Sequence, residues 1–173
     1  MAWIQYTQKS LEDHLLLFIR NVETISAYYA DYFVILMKTG MRASEPLEAW
    51  RFNVPSEGVV TFYPQKGNLI RTIPIESFPE YYEQSLYDQN IFSSRFSLPT
   101  LRRYFERHYP SGSVTLNPFS VTSQITFNLF RHYKFKQKME ELNDIQEVCS
   151  YFGEVSEYNA LNYINSNIYY HSP

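Results

Sequence analysis

Arginine, lysine and tyrosine stand in this chain at positions that suit work on a phosphodiester. Arg42 lies in Gly40-Met-Arg-Ala-Ser-Glu45, Lys66 in Gln65-Lys-Gly-Asn-Leu-Ile-Arg-Thr-Ile-Pro-Ile75, and Arg131 in Asn128-Leu-Phe-Arg-His132. Tyr163 follows Arg131 by 32 positions. A guanidinium stays charged and offers a planar fork of donors that matches two phosphate oxygens. Two such forks, one ammonium and one phenol are the groups needed to break a phosphodiester through a protein-bound phosphate. Each also has an ordinary reading when taken alone. Arg42 is then a surface residue at a helix start, Lys66 a solvated turn lysine, and Tyr163 a core aromatic among 16 tyrosines. Arg131 has apolar neighbours on several sides, where an unpaired charge is costly, so a functional role or a buried ion pair is expected.

The elements that must position these residues are mainly helical. Ser10-Leu-Glu-Asp13 reads as a capping box ahead of Leu11, Leu15, Phe18, Ile19 and Val22 at helical spacing. A second helix over about 24–38 stops near Gly40, and Ser44-Glu45-Pro46 starts a third that ends before Asn53. The period then changes. Residues 59–63 and 69–73 are β-branched and aromatic, and Pro64-Gln-Lys-Gly-Asn68 turns between them, giving a hairpin with Lys66 near its tip. A stretch over 80–87 has mixed helical signals, and 99–109 reads as a helix. Residues 113–120 read as loop, and a long helix follows from 122 or 125 to 139. Asp144 caps a short helix ended by Gly153, a last helix covers about 157–164, and the residues after it form a short mobile tail. The class is α+β, mainly α-helical, with one small antiparallel sheet.

Composition sets the outer bounds. With 173 residues, 45% hydrophobic and 19% charged, the chain reads as a single globular domain over 1–173. Cys149 is the only cysteine, which excludes an internal disulfide and is compatible with a reducing compartment. There is neither an apolar run of the roughly 20 residues that cross a bilayer nor a signal-peptide pattern, so a soluble cytoplasmic protein without membrane contact is expected. No His/Cys cluster has zinc spacing, and neither metal nor cofactor is called for. A net charge of −3 by itself argues against a nucleic-acid partner. Its layout softens that objection, because Arg131, Lys134, Lys136 and Lys138 form one basic run and Arg102, Arg103 and Arg107 another. Ordinary solvated helix faces explain either run equally well.

Gly40-Met-Arg-Ala-Ser-Glu45 resembles the first arginine box of the tyrosine recombinases, the phage-integrase family. Lys66-Gly67 with Arg71-Thr-Ile-Pro-Ile75 is similar to that family's hairpin lysine and following strand, and Asn128-Leu-Phe-Arg-His132 to its second arginine box, His-x-x-Arg. Phe152-Gly153-Glu154 sits where Leu-Gly-His is usual, and Tyr163 falls nine positions later, at the nucleophile position. Three of the five glycines, Gly40, Gly67 and Gly153, match glycine positions of the pattern. The resemblance runs from about Leu11 to Tyr163.

It implies the catalytic fold of those enzymes and the activity of a site-specific recombinase or integrase of a phage or mobile element. Double-stranded DNA would be cut and rejoined through a covalent 3′-phosphotyrosine, with Tyr163 attacking, Arg42 and Arg131 clamping the phosphate, and Lys66 protonating the departing 5′ oxygen. Glu45 would orient an arginine from behind, with His132 nearby. Arg71, Lys134, Lys136 and Lys138 would contact DNA. The family's separate N-terminal DNA-binding domain has no counterpart in 1–173, residues 164–173 are a short tail, and a monomer that forms a tetramer on DNA is implied. Two positions depart from the pattern: Asn128 replaces the first histidine of the second box, and Glu154 the usual histidine or tryptophan. Asparagine cannot exchange a proton near neutrality, and an inward carboxylate would repel phosphate. A catalytically weakened or inactive DNA-binding or assembly module, and more remotely a type IB topoisomerase-like nicking and closing enzyme, therefore remain as alternatives.

Overall fold

A computed structural model describes residues 2–56, 58–65, 69–80, 97–119 and 127–171. Lys66, the expected helical stretch from 81 onward and the expected start of the long helix before 127 lie outside these residues. The described elements run β1 (Trp3–Gln5), α1 (Gln8–Glu23), α2 (Ala27–Thr39), β2 (Phe52–Ser56), β3 (Val59–Phe62), β4 (Arg71–Pro74), α3 (Leu98–His108), β5 (Ser113–Thr115), α4 (Asn128–Leu142), α5 (Ile145–Phe152), α6 (Glu157–Asn165) and β6 (Tyr169–His171). No helix among the described residues is long and apolar enough to cross a membrane.

Local signals explain most boundaries. The first helix begins three residues earlier than its sequence suggests, because Thr7 is the N-cap and Ser10 the N3 residue that bonds back to it. Ser26 caps α2, and Gly40 ends it at φ 68°, the left-handed conformation that glycine adopts without penalty. Asp144 caps α5 through the N–H groups of Gln146 and Glu147, and Gly153 ends it at φ 66°. The third expected helix is absent. After Ser44 the chain makes two short 3₁₀ turns, Glu45–Leu47 and Ala49–Arg51, and enters β2. β2 pairs antiparallel with β3, and β3 with β4, so the expected hairpin is a three-stranded sheet.

The ends of the chain meet in a second sheet. β6 is its middle strand, flanked antiparallel by β1 and β5. The expected mobile tail is thus a paired strand, and the expected loop over 113–120 contributes an edge. Under this sheet Tyr6 Oη meets His14 Nδ1 and Tyr109 Oη, each at 2.8 Å. His14 is therefore a member of a partly buried polar cluster.

The main core gathers α1, α2, α3, α4 and both sheets around Phe18, Phe33, Phe105 and Phe130. A smaller core lies beneath α5 and α6: Phe135, Val148, Phe152 and Ala160, with Tyr163 packed against them. α4 borders both cores and carries Arg131 between them.

Candidate active site

Arg131 belongs to the first turn of α4 and is 2% exposed. Its Nη1 donates to the carbonyl of Gly40 at 2.6 Å, which ties α4 to the turn that carries Arg42. That approach requires glycine: a Cβ at Gly40 would come within 2.6 Å of Phe152 Cε1 and 3.0 Å of Lys134 Cβ. The guanidinium rests over three rings, at 4.9 Å from Phe135, 5.0 Å from Tyr163 and 5.6 Å from Phe152. Those rings form a stack, with Phe135 lying 3.7 Å from Phe152 and 4.7 Å from Tyr163, nearly parallel to both. Burial and then the neighbouring Arg42 lower the pKa of Arg131, while Tyr163 and Glu45 oppose them. The Tyr163 side chain is close enough to favour the charged guanidinium. Even so, Arg131 Nε and Nη2 are buried with no hydrogen-bond partner among the described residues.

Arg42 projects from the turn after α2. Glu45, 1% exposed, accepts the backbone N–H of Arg42 on Oε1 and that of Gln65 on Oε2, at 3.0 Å for the latter. It thereby fastens the Arg42 turn to the loop leading out of β3. The same carboxylate lies 3.7 Å from Arg42 Nη1, and Glu154 Oε2 lies 3.9 Å from Arg42 Nη2. Glu154 does point inward; it is 5% exposed, and its Oε1 accepts the N–H of Ser156 at 3.0 Å.

Arg42, Asn128, His132, Glu154 and Tyr163 line one cavity of about 370 Å³, completed by Leu116, Asn159 and Asn162. His132 does reach it, although it adjoins Arg131 on the helix. Its Nδ1 shares a 2.7 Å hydrogen bond with Ser166 Oγ, and its ring meets the Tyr163 ring edge-on at 4.8 Å. Burial pushes the His132 pKa down to about 4, so the ring is neutral near pH 7. Asn159 and Asn162 were not anticipated from sequence. Asn159 precedes Tyr163 by one helical turn, so helical spacing gave a signal for it. Asn162, the immediate neighbour of Tyr163, gave none.

Two of the expected DNA contacts, Arg71 and Lys136, need correcting. Arg71 is 2% exposed; it donates through Nε to Tyr151 O at 3.0 Å and through Nη2 to Thr39 O at 2.8 Å. It is an internal clamp between β4, α5 and α2, with its pKa lowered to about 10 chiefly by burial. Lys136 is likewise taken up, its ammonium held by the carbonyls of Ile164 and Ser166. Lys134 is half-buried on Gln137, and burial, then Lys138, pulls its pKa down to about 8. Lys138 stands over the Tyr151 ring at 4.3 Å and pairs with Glu141 at 3.2 Å. None of these lysines lines the cavity.

The fold is thus mainly helical, with Arg42 and Tyr163 in the lining of one cavity. No family model matches this sequence, and no curated protein does. Solved structures do. The recombinase XerA superposes with a TM-score of 0.61 at 16% identity, over 88% of this chain and 58% of its own. A lambda integrase(75–356) dimer bound to a COC′ core site gives 0.61 and 16%, over 92% and 58%. XerH bound to its palindromic difH substrate gives 0.59 and 15%, over 88% and 48%. The fold is that of the tyrosine recombinase catalytic domain. The chain spans about half the length of these recombinases, and at such identity the likeness is one of fold.

Proposed function

We propose that this chain is the catalytic unit of a site-specific DNA recombinase or integrase that breaks and rejoins duplex DNA through a 3′-phosphotyrosine at Tyr163. The observation that carries this reading is Arg131: a buried guanidinium with two unpartnered donor atoms, stacked on the ring of Tyr163. Buried donors of this kind call for an anion, and a phosphate oxygen is one. Arg42, in the lining of the cavity and near enough to lower the pKa of Arg131, supplies the second fork. The developing charge on phosphorus is then met by groups already in place. Tyr163 Oη gives up its proton to solvent and forms the bond to phosphorus, the bond to the 5′ oxygen breaks, and Lys66 is the proposed donor to that oxygen. Glu45 holds the Arg42 turn against the strand that leads to Lys66. Asn128 offers an amide to the phosphate in place of a titrating ring. Double-stranded DNA is the proposed partner, bound by a chain that is monomeric when free and tetrameric on its site.

One observation favours the second reading, a recombinase-like DNA-binding module without turnover: the carboxylate of Glu154 lies against Arg42 inside the cavity. The test is a nicked suicide duplex selected from a randomised library, scored for a covalent protein–DNA adduct on denaturing gels. We expect an adduct with the natural chain and none with Tyr163→Phe. An adduct that persists in Tyr163→Phe would falsify the nucleophile assignment, and DNA binding without any adduct would favour the inactive module.

A further inference from the structure

Arg42 lies between two carboxylates of its own chain, and the two have different attachments. Glu45 gives one oxygen to the backbone N–H of Arg42 and the other to that of Gln65, so its place is set by the turn and the strand it joins. Glu154 has its Oε1 on the Ser156 N–H, while Oε2 is the atom that faces Arg42 Nη2 at 3.9 Å. Its side chain is 2% exposed, and it lines the same cavity as Tyr163. Of the other polar groups there, Asn128, Asn159 and Asn162 do not ionise, and His132 is held neutral by burial. In the lining itself the charge of Arg42 is met by that of Glu154, while Arg131 and Glu45 lie buried outside it. The cavity suits an anion, and an anion of the protein already stands in it.

We propose that Glu154 is an internal competitor for the phosphodiester: its carboxylate occupies the Arg42 arm of the clamp in the unliganded protein, and a phosphate enters that arm only as the Arg42–Glu154 contact opens. This rests on reading the cavity as a phosphodiester site. A carboxylate and a phosphate ask for the same N–H donors, and two anions repel when they share them out of water. The Ser156 N–H gives Glu154 a fixed anchor from which to hold or release Arg42. Binding is thereby made conditional: the DNA must bring enough contacts elsewhere to displace the side chain before its phosphate is gripped.

The experiment compares the full chain with Glu154→Gln, which retains an acceptor for Ser156 N–H and removes the charge. A labelled duplex of random sequence is titrated by anisotropy, and inorganic phosphate is titrated against the arginine Nε–H resonances. If the contact is populated about 90% of the time, its removal tightens binding about tenfold. The gain should vanish in an Arg42→Gln background, where Glu154 has nothing to block. It should also exceed the gain from Glu157→Gln, an exposed charge in the first turn of α6 that serves as the bulk-charge reference. Equal or weaker phosphate binding by Glu154→Gln overturns the proposal, as does the same gain with and without Arg42. Should the glutamine variant not fold, Glu154→Asp decides, because its shorter reach should give a smaller gain of the same sign and no gain overturns the idea. A phosphate response with the expected gain, but no duplex binding by any variant, upholds the competitor and rejects the DNA reading. Arginine resonances that ignore phosphate in every variant reject both.

Discussion

Arg131 is costly where it stands. Each buried donor left unpaired costs on the order of 1–3 kcal/mol, and the three aromatic faces beneath the guanidinium return only part of that. His132, beside it, shows the opposite treatment of a charge. Its folded pKa of about 4 lies below the ordinary 6.5, so the unfolded chain takes up a proton more readily between those values. Stability from this residue is complete above about pH 6.5 and is lost as pH falls toward 4, to the extent of about 3 kcal/mol. Urea unfolding at pH 7 and pH 4.5 should show this loss in the natural chain. It should be largely absent from His132→Asn, which keeps a partner for Ser166 Oγ. His14, lowered in the same direction by burial, remains in both proteins and cancels in the comparison. At this scale the sequence told residue type and spacing but not burial. Arg71 and Arg131 are equally arginines among apolar residues in the sequence. Only the fold shows that carbonyls of Thr39 and Tyr151 hold Arg71, whereas Arg131 keeps two donors unpaired.

Elements meet at the site through glycines that act at a distance in sequence. Gly153 ends α5 and accepts the Leu69 N–H at 2.7 Å, which docks the lead-in to β4 onto the helix end. A Cβ there would sit 2.1 Å from the Leu69 carbonyl oxygen, at a φ of 66°. Gly153→Ala should therefore lose about 3 kcal/mol or more, the sum of left-handed strain and a clash with backbone. The denaturant midpoint measures it, and a loss below about 1 kcal/mol would mean that the docking is dispensable. The helix over 145–152 was legible because its cap is local: Asp144 sits beside the turn it satisfies. β2 and β5 were not. β2 contains a proline and follows the expected helix without a strand signal, and β5 is three residues long, so both exist through the strands that pair with them. The expected helix after Ser44 fails for a related reason. Glu45 turns its carboxylate back to the Arg42 and Gln65 N–H groups, and the chain closes into 3₁₀ turns around that anchor.

On the scale of the whole molecule, net charge is a poor guide to the site. The chain carries −3 in total, yet the lining of its cavity brings Arg42 and Glu154 together, and Lys136 of the basic run in α4 is spent on internal carbonyls. The second sheet matters as much to integrity. Removing 169–173 takes away the strand that both β1 and β5 pair with, and also Tyr170, which packs on Tyr6 at 4.4 Å. The expected loss is roughly 2–3 kcal/mol, read as a fall in Tm of roughly 5–10 °C; an unchanged Tm would show that the strand is only lightly held. That sheet also fixes where the polypeptide enters and leaves. Trp3 lies opposite His171 across an antiparallel pair, so the two ends of the described chain emerge side by side. A short peptide joining them would close the backbone into a ring with little distortion, and the order in which the elements are strung could then be permuted while the cavity stays assembled.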